Sequence, residues 1–140
     1  MTASQNLLNK YENTIKDNFA IVAGVTIGLG IHAFWDLVTV SGLNKKELAE
    51  SIVGIRLETI QEYEEEEKKL NPRDSEMVLK MLALYKKGIE IFGEIDSFNR
   101  WLLKPAFGLG NQIPYKLLNT VTGIDLIFEE LTRIEYGDLA

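Results

Sequence analysis

The stretch NPRDSEMVLKMLALYKKGIEIFG, residues 71 to 93, constrains this chain more than any other. Asn71 suits an N-cap, Pro72 the first helical position and Asp74 the first turn. Val78, Met81, Leu82, Tyr85, Ile89 and Phe92 recur at helical spacing as one apolar stripe, and Met77, Leu84, Ile91 and Ile95 make a second. A helix apolar on two sides is buried on two sides. One side serves its own core. The other is expected to meet a second subdomain or a second subunit, so a homodimer through Met77, Leu84 and Ile91 is predicted.

The remaining segments also carry helical spacing. Residues 4 to 16 read as a weakly amphipathic helix with Leu7, Leu8, Tyr11 and Ile15 on one face. Phe34, Leu37 and Val38 place a helix over His32 to Ser41. Asn44 is a good N-cap, and Glu47 sits three residues later as in a capping box; Gly54 ends that element. A further helix runs from about Leu57 into the acidic run Glu64 to Glu67, which reads as a solvated face. A helix through Trp101 must end before Pro105. Pro114 starts a short helix, and Thr120 caps a last one whose stripe is Ile124, Ile127, Phe128, Leu131 and Ile134, stopped by Gly137. No segment alternates long enough to build a sheet, so the fold class is all-α.

The chain of 140 residues fits one domain or two very small ones, and an apolar fraction of 46% supplies a core. There is no cysteine, which removes disulfides and thiolate chemistry and fits a reducing cytoplasm. With His32 as the one histidine, nucleophile–base arrangements lack material, and any metal centre would have to be built mostly from carboxylates; neither catalysis, nor a cofactor, nor a metal is expected. His32 itself reads as structural. The net charge of −6 argues against a broad footprint on nucleic acid.

Asn18 to Trp35 carries no charge over 18 positions and holds Gly24 and Gly28 in a G-x-x-x-G spacing. Eighteen residues lie near the lower limit of a spanning helix. Its polar residues, its glycines and the lack of a flanking basic cluster favour a buried hairpin or short helix with a glycine turn at Gly28 to Gly30. No membrane insertion and no cleaved leader is expected.

The loop PAFGLGNQIPYKLLNT, residues 105 to 120, places Gly108 and Gly110 as G-x-G. A dinucleotide site needs a strand before and a long helix after; here a helix and Pro105 precede, and Pro114 follows. The glycines are expected to serve a sharp turn between packed helices instead of a phosphate.

Trp101, Leu102, Pro105, Leu109, Gly110, Pro114, Leu117, Leu118, Thr120, Gly123, Leu131, Ile134 and Gly137 follow in the order and spacing of a known pattern. This segment resembles the toxin-binding domain of the Xre/MbcA/ParS-like antitoxins. GLNKKELAESIVGIRLETIQEY upstream resembles the Xre-like helix-turn-helix that precedes it, and the resemblance covers about residues 28 to 140. It implies three parts: N-terminal helices with the helix-turn-helix over 1–70, a connecting and dimerising helix over 71–97, and a toxin-binding domain over 98–140. It implies a RES-domain toxin as partner, an enzyme that consumes or transfers from NAD, whose active site the antitoxin blocks, and autoregulation by binding the antitoxin's own promoter DNA as a dimer.

Toxin contact is expected at Pro114, Leu117, Arg133, Glu135, Tyr136, Asp138 and Leu139, with the last residues as a plug into a basic cleft; Trp101 reads as core packing. The helix-turn-helix departs from its family. Arg56 stands where a cap belongs, and Glu58 and Glu62 stand where bases are common. Residues 1–70 hold seven Lys or Arg against eleven Asp or Glu, a net of −4. DNA contact falls to Lys45, Lys46, Arg56, Thr59 and Gln61. A stand-alone helix-turn-helix transcription regulator without a toxin is the alternative.

Overall fold

The computed structural model describes residues 2–137, and they are all-α: no strand occurs among them, only isolated bridges between Gly30 and Lys69 and between Ala106 and Gln112. In order come α1 (Ala3–Asn9), α2 (Glu12–Ile15), α3 (Asn18–Ile27), α4 (His32–Ser41) and α5 (Lys45–Glu47), which runs into a wider π turn over Leu48–Val53. Then follow α6 (Leu57–Glu65), α7 (Pro72–Phe92), α8 (Ile95–Leu102) and α9 (Val121–Glu135), with 3-10 turns at Phe107–Leu109 and Pro114–Leu117.

Local chemistry sets most of these boundaries. Asp17, Asn71 and Thr120 each accept a backbone N–H of the first turn of the following helix. Asn44 accepts the N–H groups of Lys46 and Glu47, but the Glu47 carboxylate turns to the hydroxyl of Tyr115 and does not close a capping box. Arg56 offers no cap. Glu50, from the preceding turn, accepts the Leu57 N–H at 3.2 Å in its place. The single helix expected over 4–16 is broken at Lys10–Tyr11. There the buried Tyr11 sends its hydroxyl to Asp36 on α4 at 2.5 Å.

Helix α7 is the axis of the molecule and packs against α9, α3, α8 and α4. One apolar cluster reaches from Leu8 to Leu131 around it. Both α7 stripes are consumed there. Met77 is buried and Leu84 is 0% exposed within a single chain, while Ile91 packs partly buried against the same cluster. The second stripe therefore faces the protein's own helices and not a second subunit. Gly88 lets α8 approach α7: a Cβ at that position would fall 2.5 Å from the ring of Phe98. Phe98 in turn meets Tyr85, Phe92 and Trp101 in one aromatic cluster, so Trp101 is a packing residue. His32 is exposed at the start of α4.

No helix of the described residues is long and apolar enough to cross a membrane, and α3 ends at Ile27 before a turn at Gly28 with φ 91°.

Candidate functional site

The loop after α8 is a closed structure. Ala106 N–H donates to Gln112 O, and Asn111 N–H donates back to Ala106 O, both at 3.0 Å. Gly110 and Asn111 take the left-handed backbone that closes it, at φ 65° and 61°. Leu109 points into the core, and Phe107 stands 80% exposed at the tip.

The tip is clamped from α9. Glu130 is 0% exposed, yet its carboxylate is fully engaged. Gly108 N–H donates to Oε2 at 3.2 Å, and Arg133 Nε donates to Oε1 at 2.9 Å. Arg133 Nη2 also lies 3.5 Å from the Gly108 carbonyl. A buried carboxylate costs several kcal/mol in desolvation, which a guanidinium and an amide donor offset only with good geometry. A Cβ on residue 108 would fall 1.9 Å from Glu130 Oε1. Gly108 is thus required by the carboxylate beside it. Its N–H is spent inside the protein, so the G-x-G spacing is no phosphate cradle.

The segment is tied to the rest of the molecule at three further points. Tyr115 donates to the Glu47 carboxylate of α5. Tyr85 OH donates to Asn99 Oδ1 at 2.7 Å, and Asn99 Nδ2 donates to Ser41 O at 2.8 Å. Lys87 on α7 pairs with Glu135 near the end of α9 at 2.5 Å. Burial, reinforced by Glu47, pushes the Tyr115 phenol well above its ordinary pKa. The outcome is a rigid platform from which Phe107 and Leu103 project as exposed apolar side chains, with Arg100, Lys104 and Lys116 exposed on the same segment.

Residues 87–137 match the family model of the antitoxin Xre/MbcA/ParS C-terminal toxin-binding domain. This part of the chain is similar to that toxin-binding domain. No curated protein matches the chain.

Within and just beyond the matched segment the predicted contact residues take different places. Pro114 is buried and Leu117 half-buried; both shape the turn. Arg133 is committed to Glu130, and Glu135 to Lys87. Tyr136 is exposed just past the end of α9. Asp138 and Leu139 lie outside the described residues. Sequence reasoning passed over Phe107, Leu103 and Glu130. An aromatic beside a glycine in a proline-bounded loop was the available signal for Phe107; nothing local marked Glu130.

The residues predicted to meet DNA lie on α5 and on or beside α6. Lys45 and Lys46 are exposed on α5, and Arg56 and Gln61 are exposed at and on α6, with Thr59 half-buried. Glu58, Glu62 and Glu64 to Glu67 are exposed on the same helix and its end. A cleft of about 470 Å³ between α3, α7 and α9 is lined by Ile21, Lys80, Ile124, Asp125 and Phe128, among others, and by none of the predicted contact residues. Among the described residues no group of His, Asp or Glu is disposed to hold a metal.

Proposed function

We propose that this chain is an antitoxin that neutralises a RES-type, NAD-consuming toxin by docking it on the 103–113 loop and the last turn of α9. The family match over residues 87–137 carries this reading, because that segment contains both elements. Two physical features support the docking face. Phe107 is a large exposed ring, the kind of side chain that anchors interfaces. Its loop is held by the Glu130–Arg133–Gly108 contacts, so little conformational freedom is lost on binding. The RES identity rests on the sequence resemblance.

Promoter binding by α5 and α6 is a second, weaker activity in this reading. The exposed carboxylates of α6 work against a phosphate backbone. The stand-alone regulator loses ground for the same reason.

Co-expression of the full chain with a RES-domain toxin, followed by purification and an assay of NAD loss, tests the proposal. A stable complex with suppressed NAD loss is expected. A RES toxin that neither co-purifies nor slows in the presence of the chain would contradict it.

A further inference from the structure

Helix α3 is apolar on both sides, and only one side is covered. Ile21 is buried, Val25 packs on the core, and Gly24 sits against Thr14 and Leu79. On the outer side Phe19, Val22, Ala23, Thr26 and Ile27 follow the i, i+3, i+4, i+7, i+8 spacing of a single stripe, and all five are exposed. Phe19 is 89%, Val22 63% and Ile27 73% exposed. Among the described helices of eight or more residues, α3 is the one without a charged residue.

We propose that this stripe pairs with the same stripe of a second copy of the chain. The two-sided helix that needs an outside partner is α3, not α7. A two-fold interface is self-complementary: each residue near the axis meets its own mate, and every charge there meets a like charge. The chain carries −6, so self-association costs least through a face with no charge. The stripe is also symmetric in register. Ala23 lies midway between Phe19 and Ile27, so an antiparallel pair crossing at Ala23 sets Phe19 of one copy against Ile27 of the other. A small residue at the crossing suits close axial approach, at about 8 Å. The face is held in place, because Lys80 Nζ joins Asn18 of α3 at 3.2 Å to Asp125 of α9 at 2.8 Å. A lipid surface is the poorer occupant. The net negative charge opposes anionic headgroups, and α3 lacks the basic flank of an interfacial helix. A stable interface takes about 800 Å² per partner. One ten-residue helix supplies part of that area, so the dimer is expected to dissociate on dilution.

Sedimentation equilibrium of the full chain over a concentration series tests this. A monomer–dimer equilibrium is expected for the unmodified protein. Ala23→Glu and Ala23→Lys are each expected to be monomeric with unchanged helicity and melting temperature, since residue 23 is exposed in the protomer. Mixing the two variants in equal amounts should restore a dimer, because residue 23 faces residue 23. An unmodified chain that stays monomeric at high micromolar concentration would overturn the proposal. So would an Ala23→Glu variant that remains dimeric, or a mixture that fails to pair. A monomeric chain that floats with phosphatidylcholine–phosphatidylglycerol vesicles would assign the stripe to a lipid surface instead.

Discussion

Glu130 stands where a side chain on residue 108 would have to be, its Oε1 only 1.9 Å from the position of that missing Cβ. The loop and α9 are therefore one mechanical unit. Gly108→Ala must either displace a buried, paired carboxylate or shift the loop backbone. A loss of about 3 kcal/mol in stability is expected, at the scale of disrupting a buried ion pair. Urea unfolding of the variant beside the unmodified chain measures it. A change below about 0.5 kcal/mol, the range of surface substitutions, would show that the clamp is not rigid.

Phe107→Ala separates binding from folding. The ring is 80% exposed, so its removal should leave the melting temperature nearly unchanged. A truncated interface anchor typically costs about 2 kcal/mol or more, roughly a 30-fold loss of affinity. Titration calorimetry against the toxin reads this directly. Unchanged affinity would remove Phe107 from the interface.

Much of the scaffold was legible in the sequence because its signals are local. Asn71 and Pro72 open α7 and Gly93 closes it with φ 88°, each by chemistry within one turn. Long-range partners were not legible. The break at Tyr11 depends on Asp36, 25 residues away. The cap missing at Arg56 is supplied by Glu50. The periodicity of α7 said that Leu84 is buried but not by what, and the answer is the chain's own helices. Phe107 went unremarked because its presentation depends on Glu130, 22 residues on from Gly108. Against that, the reading of Gly108 and Gly110 as a turn and not a phosphate site rested on local signals alone: Pro105 before the glycines, Pro114 after them, and neither a preceding strand nor a long following helix.

Alkaline pH should unfold the protein through its tyrosines. Burial raises the phenols of Tyr11, Tyr85 and Tyr115, with Asp36 adding to the first and Glu47 to the last. A raised folded pKa means that the folded state holds the proton more tightly. The resulting stability is fully present below the unfolded value of about 10 and is lost progressively as pH rises above it. Phenolate absorbance from these three residues should then rise together with loss of helical signal. Ionisation of all three in a still-folded chain would contradict the burial and bonding described for them.

DNA binding, where it occurs, should be weak at physiological salt. Glu58→Arg with Glu62→Arg is expected to tighten it. Each new phosphate contact should steepen the slope of log affinity against log salt by about 0.9. Anisotropy titrations of promoter fragments at several salt concentrations check both. Tight binding by the unmodified chain would mean that its exposed carboxylates do not face the duplex.

Amide hydrogen exchange with and without the toxin tests the central claim most directly. The toxin-bound chain should show new protection over residues 103–113 and at the end of α9, with α5 and α6 unchanged. Protection confined to residues 1–70, with the 103–113 loop exchanging as in the free chain, would contradict the account.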